Sequence, residues 1–329
     1  MPILRTTGGT NDERKQRRRH RRLRSIALLP SMATLGNLIC GFAAIHFAAL
    51  HLAGHHPMVA TGVMAKLLPS NLAIAGYLIF LSMFWDALDG QLARLARRSS
   101  EFGAQLDSLA DVVSFGAAPA FMMICLVSHT LQDEQVTPIS SGFWGRATWV
   151  MGAIYVACAA LRLARFNVET VHDDAGHTRF RGLPSPAAGF ALVAFIVLHE
   201  DVLRVLALPE SSERTLLASA PAALVKSLPV AAMLLGLMMV SRIRYRHIAN
   251  VYLRGRRPFT HLVGAVFVLA VFLFRPQLTL ATLAAVYTLS GPAAHVARWI
   301  RGPHPAEKPE ASIPGSQTDD GDQRAHRSA

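Results

Sequence analysis

Cysteine is nearly absent from this sequence, and charge is confined to a few clusters. The three cysteines, Cys40, Cys125 and Cys158, fall in separate apolar runs. Their isolation leaves neither a metal-binding spacing nor a disulfide framework, and suits small packing residues. Charged residues make up 16% of the 329 positions, whereas hydrophobic types make up 52%. That balance excludes an ordinary soluble domain and indicates an all-α, polytopic transmembrane bundle. Acids are scarcest where the chain is apolar. Only Asp86, Asp89, Asp107 and Asp111 sit between long apolar runs; every other acid lies in a tail, in a connecting segment or near the end of such a run.

The four aspartates fall within WDALDGQLARLARRSSEFGAQLDSLADVVSFG, residues 85–116. A carboxylate at membrane depth costs about 2.5–3.5 kcal/mol on the mildest scale, so a compensating cation is the simplest expectation. The spacing agrees. Asp86 and Asp89 share one helix face, and Asp107 and Asp111 share a face of the next helix. An all-oxygen ligand set suits magnesium, manganese or calcium rather than zinc or copper. Small residues (Gly90, Ala93, Gly103, Ala104 and Ala110) allow close approach of a backbone or a bulky ligand. The plainer alternative is a set of solvated helix ends beside a loop. A single DxxD would fit that reading; two carboxylate pairs with interleaved glycines favour the cation.

Asp86, Asp89, Gly90, Ala93, Arg94, Gly103, Asp107 and Asp111 stand as DxxDGxxARx8GxxxDxxxD. This resembles the full signature of the CDP-alcohol phosphotransferases, with no departure at any signature position. The resemblance implies an integral membrane enzyme that displaces CMP from a CDP-linked lipid or alcohol, using divalent metal. Two ions about 3.5–4 Å apart are a common arrangement for phosphoryl displacement. Asp86, Asp89, Asp107 and Asp111 are accordingly expected to ligate Mg2+ or Mn2+, two ions in all. The resemblance further implies that Asp111 is the general base, that Gly90 and Ala93 make room for the cytidine, and that Gly103 lies at the substrate. Arg94, one turn beyond Gly90, is placed either to bind a phosphate or to snorkel to the interface. A homodimer is expected on the resemblance alone.

Along the chain, residues 1–24 form a basic tail containing KQRRRHRRLR, from Lys15 to Arg24. Directly before an apolar helix, such a run is expected to meet anionic lipid headgroups rather than nucleic acid. The apolar stretch that follows, near 26–53, is too long for a signal-peptide core, so no cleavage is expected. Within it Ser31, Thr34 and Asn37 recur every three residues; they read as a helix-packing stripe or as a substrate-facing one. Further apolar spans are expected near 71–92, 103–131, 144–163, 187–206, 218–240, 259–274 and 278–297, giving about eight crossings. Pro119 is expected to kink the third of these. The transferase domain is thus placed at 25–300, and 301–329 reads as a disordered polar tail.

Arginine and lysine bias gives the orientation. With the N-terminus inside, the short inner loops carry thirteen basic residues against six outside, which favours cytoplasmic termini in a cytoplasmic (inner) membrane. Both carboxylate pairs then face the cytoplasm, as do Arg162 and Arg165 of RLARFN.

The signature alone does not choose the acceptor. The flanks 29–42, 161–167, 182–189 and 239–246 resemble the phosphatidylserine synthase branch of the family, over roughly 26–250 in all. Pro30, Thr34, Asn37 and Gly41 fill its first-helix pattern. The implied reaction takes CDP-diacylglycerol and L-serine to phosphatidylserine and CMP, with membrane lipids around the enzyme. Arg162 and Arg165 offer charge for the acceptor carboxylate or a lipid phosphate, or serve as positive-inside anchors. Glycerol-3-phosphate or inositol phosphate as acceptor is the nearest alternative. A divalent-cation transporter is a different one, disfavoured because the acids lie on one side of the membrane.

Overall fold

The computed structural model describes residues 11–55, 64, 67–96, 101–130, 136–172, 182–207, 220–243, 245 and 259–301. Among these residues the regular structure is helical throughout. The helices are α1 (Asn11–Leu52), α2 (Asn71–Ala96), α3 (Glu101–Asp111), α4 (Ala118–Thr130), α5 (Phe143–His172), α6 (Ser185–Leu206), α7 (Ala220–Val240), α8 (Phe259–Phe274) and α9 (Pro276–Arg301). A π-helical segment, Val112–Ala117, joins α3 to α4, so the two form one continuous rod. Among the described residues six rods are long and apolar enough to cross a membrane: Pro30–Leu52, Asn71–Leu92, Phe102–Thr130, Phe143–Val168, Pro221–Val240 and Pro276–Ala297. The remaining two of the eight expected crossings are α6, which carries buried His199, Glu200 and Asp201, and α8, of 16 residues.

Helix α1 shows how the bundle sorts its side chains. Met32, Leu35, Ile39 and Phe42 form an exposed stripe, while Ala33, Thr34, Asn37, Cys40, Ala44 and Ala48 are buried. Bulky apolar groups outward and small or polar groups inward suit a helix whose outer face meets lipid and whose inner face packs closely on neighbours. The basic segment is not separate from this span. The helix already begins at Asn11 and runs for 42 residues, about 63 Å at 1.5 Å per residue, roughly twice the hydrocarbon thickness.

Helix α1 packs chiefly along α2, and α5 along α7, while α6 runs between α2, α7 and α9. The core gathers on α4 and α6, from Met122, Met123 and Leu126 to Leu192, Val193 and Ile196.

The rod containing α3 and α4 departs from the expected simple kink. Pro119 has no N–H to donate to the Phe115 carbonyl one turn earlier. The chain widens into a π turn instead, in which the Ala118 N–H reaches back five residues to the Val113 carbonyl. The stranded Phe115 carbonyl accepts from the hydroxyl of Tyr155 at 2.8 Å, and Tyr155 is fully buried. Against the same turn, Gly41 of α1 lies so close that a Cβ there would sit 2.9 Å from the Ser114 Cα. Ser114 itself donates to the Asn37 carbonyl at 3.0 Å.

Two flanking stretches singled out in the sequence meet in space. The Gly182 N–H donates to the Ile243 carbonyl at 2.9 Å, and the Leu183 N–H to Met238 at 3.0 Å. Gly182 has φ +88°, and a Cβ there would strike the Met239 carbonyl, so only glycine fits. The expected basic turn at 97–100, the loop arginines at 179, 181, 244, 246, 254, 256 and 257, and the C-terminal tail from 302 onward lie outside the described residues.

Candidate active site

The end of α2 and the start of α3 bring three acids together. Asp86, Asp89 and Asp107 each offer a carboxylate oxygen, and these oxygens lie within 4.8 Å of one another. Asp89 is 6% exposed. Its carboxylate is in hydrogen-bonding contact with that of Asp107. Two carboxylates so placed need a shared proton or a cation between them. Asp107 Oδ1 is buried and has no partner among the described residues. A converging set of hard oxygen donors with one oxygen left over fits magnesium, manganese or calcium.

Asp111 stands apart from this triplet. It is 7% exposed and faces Asp86, Asp107 and Asp89, but its Oδ1 accepts from Asn37 Nδ2 at 3.1 Å. Thr34, a turn earlier on α1, has a parallel role and donates to Asp89 Oδ2 at 2.9 Å. The polar stripe on α1 thus faces the acids themselves. Asn37 Oδ1 is buried and unpartnered among the described residues.

Gly90, half-buried, turns its backbone amide toward Asp89. Gly103 lies half-buried in the first turn of α3, four residues before Asp107 and on its face. Ala93 and Arg94 continue α2, but their side chains lie outside the described residues. The two arginines of α5 separate. Arg162 is half-buried, faces Asp111 and Tyr287, and donates through one terminal nitrogen to Ser185 Oγ at 2.8 Å. Its Nε is buried without a partner among the described residues. Arg165 is exposed.

Several contributors carried no clear signal in the sequence. Ser185 sits at the start of α6 inside the GLPSP stretch, within one of the flanks that resemble the family. Tyr287 and Tyr245 pack ring to ring at 5.9 Å, and Tyr245 donates to the Thr288 carbonyl at 3.1 Å. Asn167 donates to Ser108 at 2.9 Å, tying α5 to α3. Nothing in spacing or composition marks these residues.

Comparison with known proteins gives the family. Residues 27–218 match the family model described as CDP-alcohol phosphatidyltransferase. The chain belongs to this family. A CDP-diacylglycerol–serine O-phosphatidyltransferase of Helicobacter pylori strain J99 is 29% identical over 273 residues, covering 83% of this chain and 91% of that protein. Proteins of the same name from Methanocaldococcus jannaschii and Bacillus subtilis are 33% identical, over 58% of this chain and 71% of that protein, and 31% identical, over 53% and 78%. The matched region of this CDP-alcohol phosphatidyltransferase, which begins in α1 and extends past α6, contains all four aspartates, Thr34, Asn37, Arg162 and Ser185.

Proposed function

We propose that this CDP-alcohol phosphatidyltransferase moves the phosphatidyl group of CDP-diacylglycerol to L-serine, yielding phosphatidylserine and CMP. The observation that carries the acceptor is Arg162, a partly buried cation facing Asp111, whose Nε has no partner among the described residues. It complements a small acceptor bearing a carboxylate. The shared name of relatives from three distant organisms supports the same choice.

Asp86, Asp89 and Asp107 hold the divalent metal, with Asp111 completing the ligand set if a second ion binds. The metal, when bound, neutralises the diphosphate and stabilises the departing CMP. The residues do the rest. Arg162 anchors the serine carboxylate and is itself aimed by Ser185. Asp111, held by Asn37, takes the proton of the serine hydroxyl. The new bond joins that oxygen to the lipid phosphorus as the bond from phosphorus to CMP breaks. Gly90, Ala93 and Gly103 leave room for the nucleotide, and Arg94 binds a phosphate of the CDP-lipid. Arg165, exposed beside this end, suits a lipid phosphate.

The catalytic unit is 25–300, in the cytoplasmic membrane with its acids facing inward, and works as a homodimer. Arginine bias supports the orientation.

The test uses purified protein in detergent with CDP-diacylglycerol, Mg2+ or Mn2+, and each candidate alcohol, reading CMP. Serine-dependent release is expected. Release with glycerol-3-phosphate or inositol phosphate and none with serine overturns the acceptor. Thiol labelling of single cysteines at 100 and 139 in intact cells, with Cys40, Cys125 and Cys158 replaced, tests the orientation: only position 139, where Ile139 is 91% exposed, is expected to react from outside.

A further inference from the structure

The cation Arg162 has a neighbour from a part of the chain that the family match does not reach. The matched region ends at residue 218, whereas Tyr287 lies on α9. Arg162 and Tyr287 nevertheless face one another. Tyr287 is half-buried, and its ring lies 5.9 Å from that of Tyr245, at 44°.

This phenol is firmly braced. The Tyr245 hydroxyl donates to the Thr288 carbonyl at 3.1 Å. The Tyr245 ring also lies over Gly291, one turn beyond Tyr287, where a Cβ would strike it. Only glycine there admits the ring that supports Tyr287. The backbone leading to Tyr245 is bonded to the turn that presents Ser185, through the Gly182 N–H and the Ile243 carbonyl at 2.9 Å. Ser185 is fully buried and accepts from Arg162 at 2.8 Å. One connected framework therefore positions Ser185, Arg162 and Tyr287.

Serine brings three polar groups to such a site. Arg162 suits the carboxylate, and Asp111 takes the hydroxyl proton. The ammonium remains, and a partly desolvated cation needs a partner of its own. Of the groups that Arg162 faces, Asp111 is already engaged. Tyr287 offers a phenol oxygen that can accept a hydrogen bond and a ring face that attracts cations. Tyr245 has its hydroxyl on Thr288.

We infer that Tyr287 is a specificity-determining residue whose phenol binds the amino group of the acceptor while Arg162 holds its carboxylate. Tyr245 and Gly291 are positioning residues for that phenol. Glycerol-3-phosphate and inositol phosphate carry no ammonium, so Tyr287 gives them no matching bond. This assignment rests on serine being the acceptor.

The test uses full-length protein in detergent with CDP-diacylglycerol and Mg2+. Tyr287→Phe keeps the ring against Tyr245 and removes the phenol oxygen. KM for serine is expected to rise about tenfold, with kcat within about threefold of wild type and KM for CDP-diacylglycerol nearly unchanged. Serine is then mixed with 3-hydroxypropanoate, which keeps the hydroxyl and carboxylate but lacks the amine, and the lipid products are quantified by mass spectrometry. The preference for serine is expected to fall about tenfold in Tyr287→Phe. Arg162→Lys weakens both acceptors and keeps the preference. A serine KM in Tyr287→Phe within about twofold of wild type, an unchanged preference, or KM values for serine and CDP-diacylglycerol that rise together overturns the role of Tyr287 alone. Failure of the acceptor assignment looks different: the wild type then releases CMP with another alcohol and none with serine, and both proposals fall.

Discussion

Asn37 holds Asp111 across 74 positions of sequence: the amide nitrogen of one lies 3.1 Å from a carboxylate oxygen of the other, both side chains buried. The bond turns a residue of the first helix into a support for the candidate base. Asn37→Leu is therefore expected to lower kcat by about 100-fold through misplacement of Asp111, with KM for CDP-diacylglycerol within about threefold. Steady-state kinetics check this. A raised KM at unchanged kcat instead makes Asn37 a donor-binding residue.

The acid triplet predicts opposite effects on activity and stability. Asp107→Asn is expected to lower turnover by at least about 1,000-fold, since phosphoryl transfer depends on charge neutralisation. In EDTA the same variant is expected to melt no lower than wild type, because it removes a carboxylate that crowds Asp86 and Asp89. Mg2+ at a hundred times its Kd stabilises wild type by about 2.7 kcal/mol; a thermal scan with and without metal should show that gain only in the wild type.

Arg162→Lys keeps the charge but loses the planar fork that donates to Ser185 while leaving Nε for a ligand. KM for serine is expected to rise at least about tenfold, with KM for CDP-diacylglycerol nearly unchanged. Initial rates with each substrate varied in turn separate the two.

Tyr155→Phe deletes the hydroxyl that bonds the Phe115 carbonyl, one turn after Asp111. The Phe115 carbonyl then loses its buried side-chain donor, at a cost of about 1–3 kcal/mol. A lowered melting temperature is expected, together with reduced kcat, because the π turn sits directly after Asp111.

The sequence carried much of this. The apolar runs located the helical rods, and the two acid spacings aimed all four aspartates at one point, where Asp86, Asp89 and Asp107 converge while Asp111 stands apart. The polar stripe at Thr34 and Asn37 was legible as a face, but its target was not, since a face does not say what it meets. The contacts of Tyr155 with Phe115 and Ser114 with Asn37 join positions 40 and 77 apart and leave no periodic trace. Glu200 and Asp201 read as the polar end of a run, yet their burial comes from α2, α7 and α9 closing around α6. A π turn is equally invisible, because one additional residue in one turn barely changes an apolar pattern.

That one residue has a geometric consequence. Each residue of an α-helix advances its neighbours by about 100° around the axis. Winding these same residues as ordinary α-helix would swing everything before the turn, Asp107 and Asp111 included, by about that angle relative to α4. For this rod, an unbroken α-helical ladder and acids pointing at α1 and α2 are alternatives. The irregularity at Val112–Ala117 is what aims them.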